Sequence, residues 1–101
     1  MRVRGLTVIL ATDDRERFIA AVTLVSAHAA LGGPTRLYFN EGAARLLADL
    51  EPLVTARELG VRLIVCQSGL ADTSLAVPNG VEAGGMVSLL ATLGEDRLVT
   101  L

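Results

Sequence analysis

Apolar residues fall into short blocks separated by glycine, proline and acidic punctuation, and the period of the blocks changes along the chain. Val3 to Leu10 is almost continuously apolar and ends at Ala11-Thr12-Asp13-Asp14. This predicts a strand covered on both faces and then a helix start, with Thr12 or Asp13 as N-cap. From Arg15 to Leu31 the period becomes helical: Phe18, Val22, Val25 and Ala29 recur on one stripe, and Gly32 lies just past the end. Thr35 to Phe39 reads as a second strand. A helix over Glu41 to Leu50 follows, then a short one over Glu51 to Leu59, with Pro52 near its first position and Gly60 as its stop. Val61 to Val65 reads as the third strand, broken by Cys66-Gln67-Ser68-Gly69, with a short helix or turn through Leu70 to Thr73. Asn79-Gly80 marks a loop, Glu82 to Leu93 a last helix stopped by Gly94, and Arg97 to Leu101 a terminal strand.

No linker, repeat or charge block divides this alternation, so one domain over residues 1–101 is expected. Strands and helices in alternation imply right-handed parallel crossovers. The predicted fold class is α/β, a three-layer α/β/α sandwich with a mostly parallel sheet of four to five strands. In such a sheet the strand-to-helix loops gather at the carboxyl edge. Three loops are then drawn together: Thr12-Asp13-Asp14, Asn40-Glu41-Gly42 and Cys66-Gln67-Ser68. Their polar residues Thr12, Asp13, Asn40, Glu41, Gln67 and Ser68 are the candidate binding residues. The first helix also carries a second apolar stripe, Ala20, Leu24, Ala27 and Leu31, nearly opposite the first. A stripe of this kind predicts a further covering helix or a homo-oligomer.

Composition narrows the function. Hydrophobic residues make up 51% and charged residues 20%, far from the signature of disorder. The net charge of −2 and a complement of three aromatic residues, Phe18, Tyr38 and Phe39, argue against nucleic-acid binding. The absence of lysine excludes a Walker-type phosphate loop and Schiff-base chemistry. Gly84-Gly85 misses the dinucleotide spacing and is expected to let the last helix approach the sheet or a neighbouring subunit closely. The uncharged run from Phe18 to Thr35 is interrupted, so no membrane span is expected. With no signal-peptide pattern in Met1 to Leu10, a cytoplasmic location is expected.

Cys66 is the residue whose type and place together point to reactivity, because a strand ends there and backbone N–H groups become free to face a thiolate. Buried cysteines also often do no more than fill space, so a structural Cys66 is the competing reading. Asp13, Asp14 and Glu41 would oppose ionisation of the thiol, whereas Arg15, Arg17 or Arg45 would favour it. Ser68 is placed either to hydrogen-bond a bound sulfur or to cap the turn. His28 lies in mid-helix, away from the carboxyl edge, and one cysteine with one histidine does not build a zinc site. No metal and no organic cofactor is called for.

The segments Ala11-Thr12-Asp13-Asp14-Arg15-Glu16-Arg17, Leu31-Gly32-Gly33, Leu63-Ile64-Val65-Cys66-Gln67-Ser68 and Gly80-Val81-Glu82-Ala83-Gly84-Gly85 together resemble the DsrE/DsrF-like family over nearly the whole chain. The resemblance implies a small α/β/α fold, trimers or hexamers, and a strand-end cysteine, here Cys66, that carries sulfane sulfur as a persulfide. It further implies a cytoplasmic sulfur carrier or sulfurtransferase-type protein exchanging sulfur with a TusA-like or other thiol protein. Some members have a second cysteine; this chain has one, so turnover would need an external thiol or another subunit's Cys66. The alternatives are a non-catalytic oligomeric binding module whose rim of Asp13, Asn40 and Glu41 recognises a ligand, and a redox sensor working through Cys66 sulfenic acid.

Overall fold

Short strands that are apolar on both faces can be covered only if helices return over each face of the sheet, and the direction of each return sets which face it covers. The computed structural model describes residues 2–101. In chain order it comprises β1 (Leu6–Leu10), α1 (Arg15–Ala30), β2 (Thr35–Phe39), 3-10 segments at Glu41–Ala48 and Glu51–Leu53, α2 (Val54–Glu58), β3 (Arg62–Cys66), α3 (Gln67–Thr73), β4 (Val81–Gly84), α4 (Met86–Ala91) and β5 (Arg97–Thr100). The five strands pair in the order β4-β3-β2-β1-β5, every pair parallel. The architecture is the expected three-layer α/β/α sandwich.

The two outer layers are unequal, and the topology says why. Connections β1 to β2, β2 to β3 and β3 to β4 all advance one way across the sheet, so right-handed crossovers send α1, the 3-10 segments, α2 and α3 to the same face. There Leu6, Val8, Leu10, Leu37, Phe39, Leu63 and Val65 pack beneath Phe18, Ala21, Val25, Ala44, Leu47, Leu53 and Ala56. Phe18 meets Phe39 edge to face at 6.2 Å. The connection from β4 to β5 runs back across the sheet and places α4 alone on the second face, over Ile9, Tyr38, Ile64 and Cys66.

That thinner face also holds a buried cation. Arg36 donates through Nε to Thr7 Oγ1 (3.0 Å) and through its terminal nitrogens to Thr92 Oγ1 (2.8 Å) and the Leu89 carbonyl (3.4 Å), with Asp96 at 3.7 Å. These bonds tie the carboxyl end of α4 to the middle of the sheet and satisfy a guanidinium that would otherwise be costly to bury. At the sheet edge, Arg62 forks onto Glu82 of the neighbouring strand at 3.0 and 2.9 Å.

Several boundaries differ from the sequence expectation. The N-cap of α1 is Asp14, not Thr12 or Asp13: its carboxylate accepts from the Arg17 N–H at 2.9 Å, while Thr12 Oγ1 accepts from the Asp14 N–H. β1 starts at Leu6 rather than Val3, because its partners begin at Thr35 and Arg97 and no strand faces residues 3–5. The segment after β2 winds as a 3-10 helix, whose three-residue turn sets Ala44 and Leu47 on one buried face. The largest difference lies where a helix is expected over Glu82 to Leu93. Val81–Gly84 is an edge strand and only Met86–Ala91 is helical. Val81 is the only buried residue in that strand, so it shows no alternation, and Glu82-Ala83 reads locally as helix former.

Candidate functional site

The β4 to α4 turn departs toward one face and the β3 to α3 turn toward the other, so the carboxyl ends of β3 and β4 form the point where the chain's winding reverses. Open parallel sheets bind ligands at such points. Cys66 stands there as the last residue of β3 and the N-cap of α3, in register with Gly84. It belongs to the strand and not, as the sequence suggested, to the break after it. Its side chain shares the thin face with Ile64 and Tyr38 and lies beside Met86 and Leu89.

Three side chains meet at the sulfur. Cys66 Sγ lies 3.0 Å from Ser68 Oγ and donates to Glu41 Oε1 at 3.4 Å, and Ser68 Oγ donates to the same carboxylate oxygen at 2.8 Å. Ser68 has one hydroxyl proton and two claimants, the carboxylate and, once it forms, the thiolate. Below them Tyr38, fully buried, donates its hydroxyl to the Gly84 carbonyl at 3.1 Å, joining β2 to the end of β4 across β3.

Glu41 is held in place by its backbone. It has φ 46°, a left-handed conformation that a glutamate seldom adopts, and such strain persists where surroundings enforce it. Gly69 supplies the enforcement: a Cβ at that position would lie 2.3 Å from the Glu41 carbonyl oxygen and 2.8 Å from its Cα. Only glycine lets the first turn of α3 lie against the loop after β2. Close packing thus occurs at Gly69. At Gly84 an added Cβ would make only ordinary contact, and at Gly85 it would meet nothing within 4 Å, so within the chain the pair is not what lets the last helix approach the sheet.

Burial is the largest influence on the Cys66 thiol and pushes its pKa up. The Ser68 hydroxyl and the N–H groups of Gly69 and Glu41 pull it down, the Glu41 carboxylate pushes it up again, and the balance lies below the ordinary thiol value. Burial pushes the Tyr38 phenol up to about 12, helped by the neighbouring Cys66 and Glu41. The phenol is therefore a hydrogen-bond donor throughout the physiological range. Cys66 retains 8% of its surface, and the following Gln67 and Ser68 are exposed. A cleft of about 250 Å3 between α4 and the β3–β4 edge reaches Gly84, the register partner of Cys66, but is not lined by Cys66, Glu41 or Ser68. A larger cavity of about 800 Å3 lies at the opposite rim, between Arg2, Arg4, Leu31 and Glu95, and shares no residue with the cysteine site.

Of the residues expected at this rim, the structure brings Cys66, Glu41 and Ser68 into contact. Thr12 and Asp13 are engaged elsewhere: Thr12 in the turn before α1, Asp13 with Arg45 at 3.4 Å. Asn40 spends its backbone N–H on the Leu10 carbonyl, and Gln67 points outward as the first residue of α3. His28 packs against Gly33 near the amino rim, which separates it from Cys66. Tyr38 and Gly69 were missed. For Tyr38 the usable signal was its place two residues before Asn40 on β2, but the strand register that aligns it with Ile64 was needed to see it reach Cys66. Among the described residues no helix is long and apolar enough to cross a membrane. No protein-family model matches the chain. No curated protein matches it either.

Proposed function

We propose that the protein is a DsrE-like, cytoplasmic sulfur carrier of the sulfurtransferase type, in which Cys66 holds sulfane sulfur as a persulfide. The observation that carries this reading is a single sulfur at the reversal point of the sheet, faced by the Ser68 hydroxyl and two backbone N–H groups and held below the ordinary thiol pKa. A donor persulfide, HS–S–R, presents its outer sulfur. The Cys66 thiolate attacks that sulfur, the S–S bond breaks, and the donor leaves as RS− and takes up a proton, giving Cys66–S–SH. A thiolate on an acceptor protein such as a TusA-like carrier removes the outer sulfur in the same way. The solvent-facing stripe of Ala20, Leu24, Ala27 and Leu31, with Leu31 at 72% exposure, is the surface through which trimers or hexamers would form.

Intact-mass analysis tests the relay. After incubation with a sulfane donor, Cys66 should gain about 32 Da, the gain should be absent in Cys66→Ser, and an acceptor thiol should reverse it. The 8% exposure of Cys66 favours a second reading, a binding module with a structural cysteine. A wild-type thiol that resists alkylation until the protein unfolds establishes that reading and ends the first.

A further inference from the structure

The side chain that comes nearest to the sulfur with a full charge is an acid. Glu41 Oε1 sits 3.4 Å from Sγ. Its position is fixed from two sides, by the strained backbone at φ 46° packed on Gly69 and by the 2.8 Å bond from Ser68. The guanidinium on the same loop, Arg45, is turned to Asp13 at 3.4 Å. Arg36 and Arg62, on the thin face, are committed to Thr7, Thr92 and Glu82 toward the other end of the strands. Tyr38 is neutral and donates to Gly84. Among the described residues no arginine forms an ion pair with Glu41, so a reagent reaching Cys66 meets this carboxylate without a neutralising guanidinium from them.

We propose that Glu41 is the specificity-determining residue of the Cys66 site, admitting uncharged or cationic sulfur carriers and turning away oxyanion donors such as thiosulfate. The substrate class that fits is a persulfide borne on a protein or peptide thiol and presented in its protonated form. The identification of a sulfur substrate rests on the proposed function; the charge selection at Cys66 does not, and it has its own readout.

The probes are three methanethiosulfonates that share one reaction and differ in charge: the neutral methyl reagent, the cationic trimethylammonioethyl analogue and the anionic sulfonatoethyl analogue. In each, the Cys66 thiolate attacks the sulfenyl sulfur, a Cys66–S–S–R bond forms and methanesulfinate leaves. One fixed carboxylate near the reacting sulfur should separate the cationic from the anionic rate by about tenfold after normalisation to a small free thiol. Glu41→Gln should shrink that separation to about twofold or less, and raised salt should shrink it in the parent. The neutral reagent reports whether the variant's thiol is still reachable, and its rate normalises the comparison. In parallel, sulfur loading from thiosulfate, which releases sulfite, should be slower than from a neutral peptide persulfide and should accelerate in Glu41→Gln. Equal rates for the charged probes, or a separation that Glu41→Gln leaves intact, overturns the proposal. If the probes sort by charge but no donor loads sulfur, the relay fails and the role of Glu41 stands. If thiosulfate loads the parent as fast as the peptide persulfide, the relay stands and the selectivity fails. If no probe reacts with the folded protein, both fail.

Discussion

Gly69→Ala sets two opposed effects against each other and isolates the contact that positions Glu41. Alanine is the better helix former by about 1 kcal/mol, so propensity alone predicts a more stable α3. Against this, the new Cβ would stand 2.3 Å from the Glu41 carbonyl oxygen and 2.8 Å from the Glu41 carbonyl carbon and Cα. These are backbone atoms of a residue already in a left-handed conformation, so no side-chain rotation relieves the contact. Overpacking of this kind costs about 1–3 kcal/mol, and backbone against backbone belongs at the upper end. The net expectation is a loss of about 2 kcal/mol, read as a lower urea midpoint at unchanged m-value and a Tm drop of roughly 10 °C for a domain of this size. Gly85→Ser is the matched control. Its Cβ meets nothing within 4 Å and its hydroxyl falls at the N-cap of α4, so it should stay within about 0.5 kcal/mol of the parent. A Gly69→Ala protein as stable as the parent would refute the crowding argument and, with it, the claim that α3 locks Glu41 in place.

Ser68→Ala should move the midpoint of the Cys66 alkylation-rate profile to higher pH, because burial and the Glu41 carboxylate are then opposed only by backbone N–H groups; iodoacetamide kinetics across pH measure it. The chain has a single tyrosine, so phenolate absorbance follows Tyr38 alone. Its folded pKa of about 12 lies above the unfolded value near 10, so the stability it contributes is complete below about pH 10 and is lost as pH rises toward 12. Base titration should therefore show phenolate forming together with unfolding. Arg36→Met should destabilise by about 3 kcal/mol in urea melts, since it leaves the Asp96 carboxylate with the Thr7 hydroxyl but without the cation, and a further Asp96→Ala change should restore part of the loss.

Local pattern was enough for much of the architecture. The apolar runs at Leu6–Leu10, Thr35–Phe39 and Arg62–Cys66 and the helical stripe through Phe18 and Val25 carry their periods within a few residues, and alternation implies parallel pairing. The cysteine at the end of β3 and the serine two residues on were also legible, because strand ends and helix starts have local chemistry. The short edge strand at Val81–Gly84 was not. With one face barely covered it has no alternation to display, and it is a strand because Val81 finds the core and Glu82 finds Arg62, partners that lie far away in the chain. Likewise, nothing within Leu37-Tyr38-Phe39 says that the phenol will reach a carbonyl 46 residues later. Sequence periodicity is a property of neighbours along the chain and so decides which segments become strands and helices. The order β4-β3-β2-β1-β5, the single helix left over the thin face, and the carboxylate pinned beside Cys66 by Gly69 depend on contacts between distant residues. Only the folded chain brings those contacts into being.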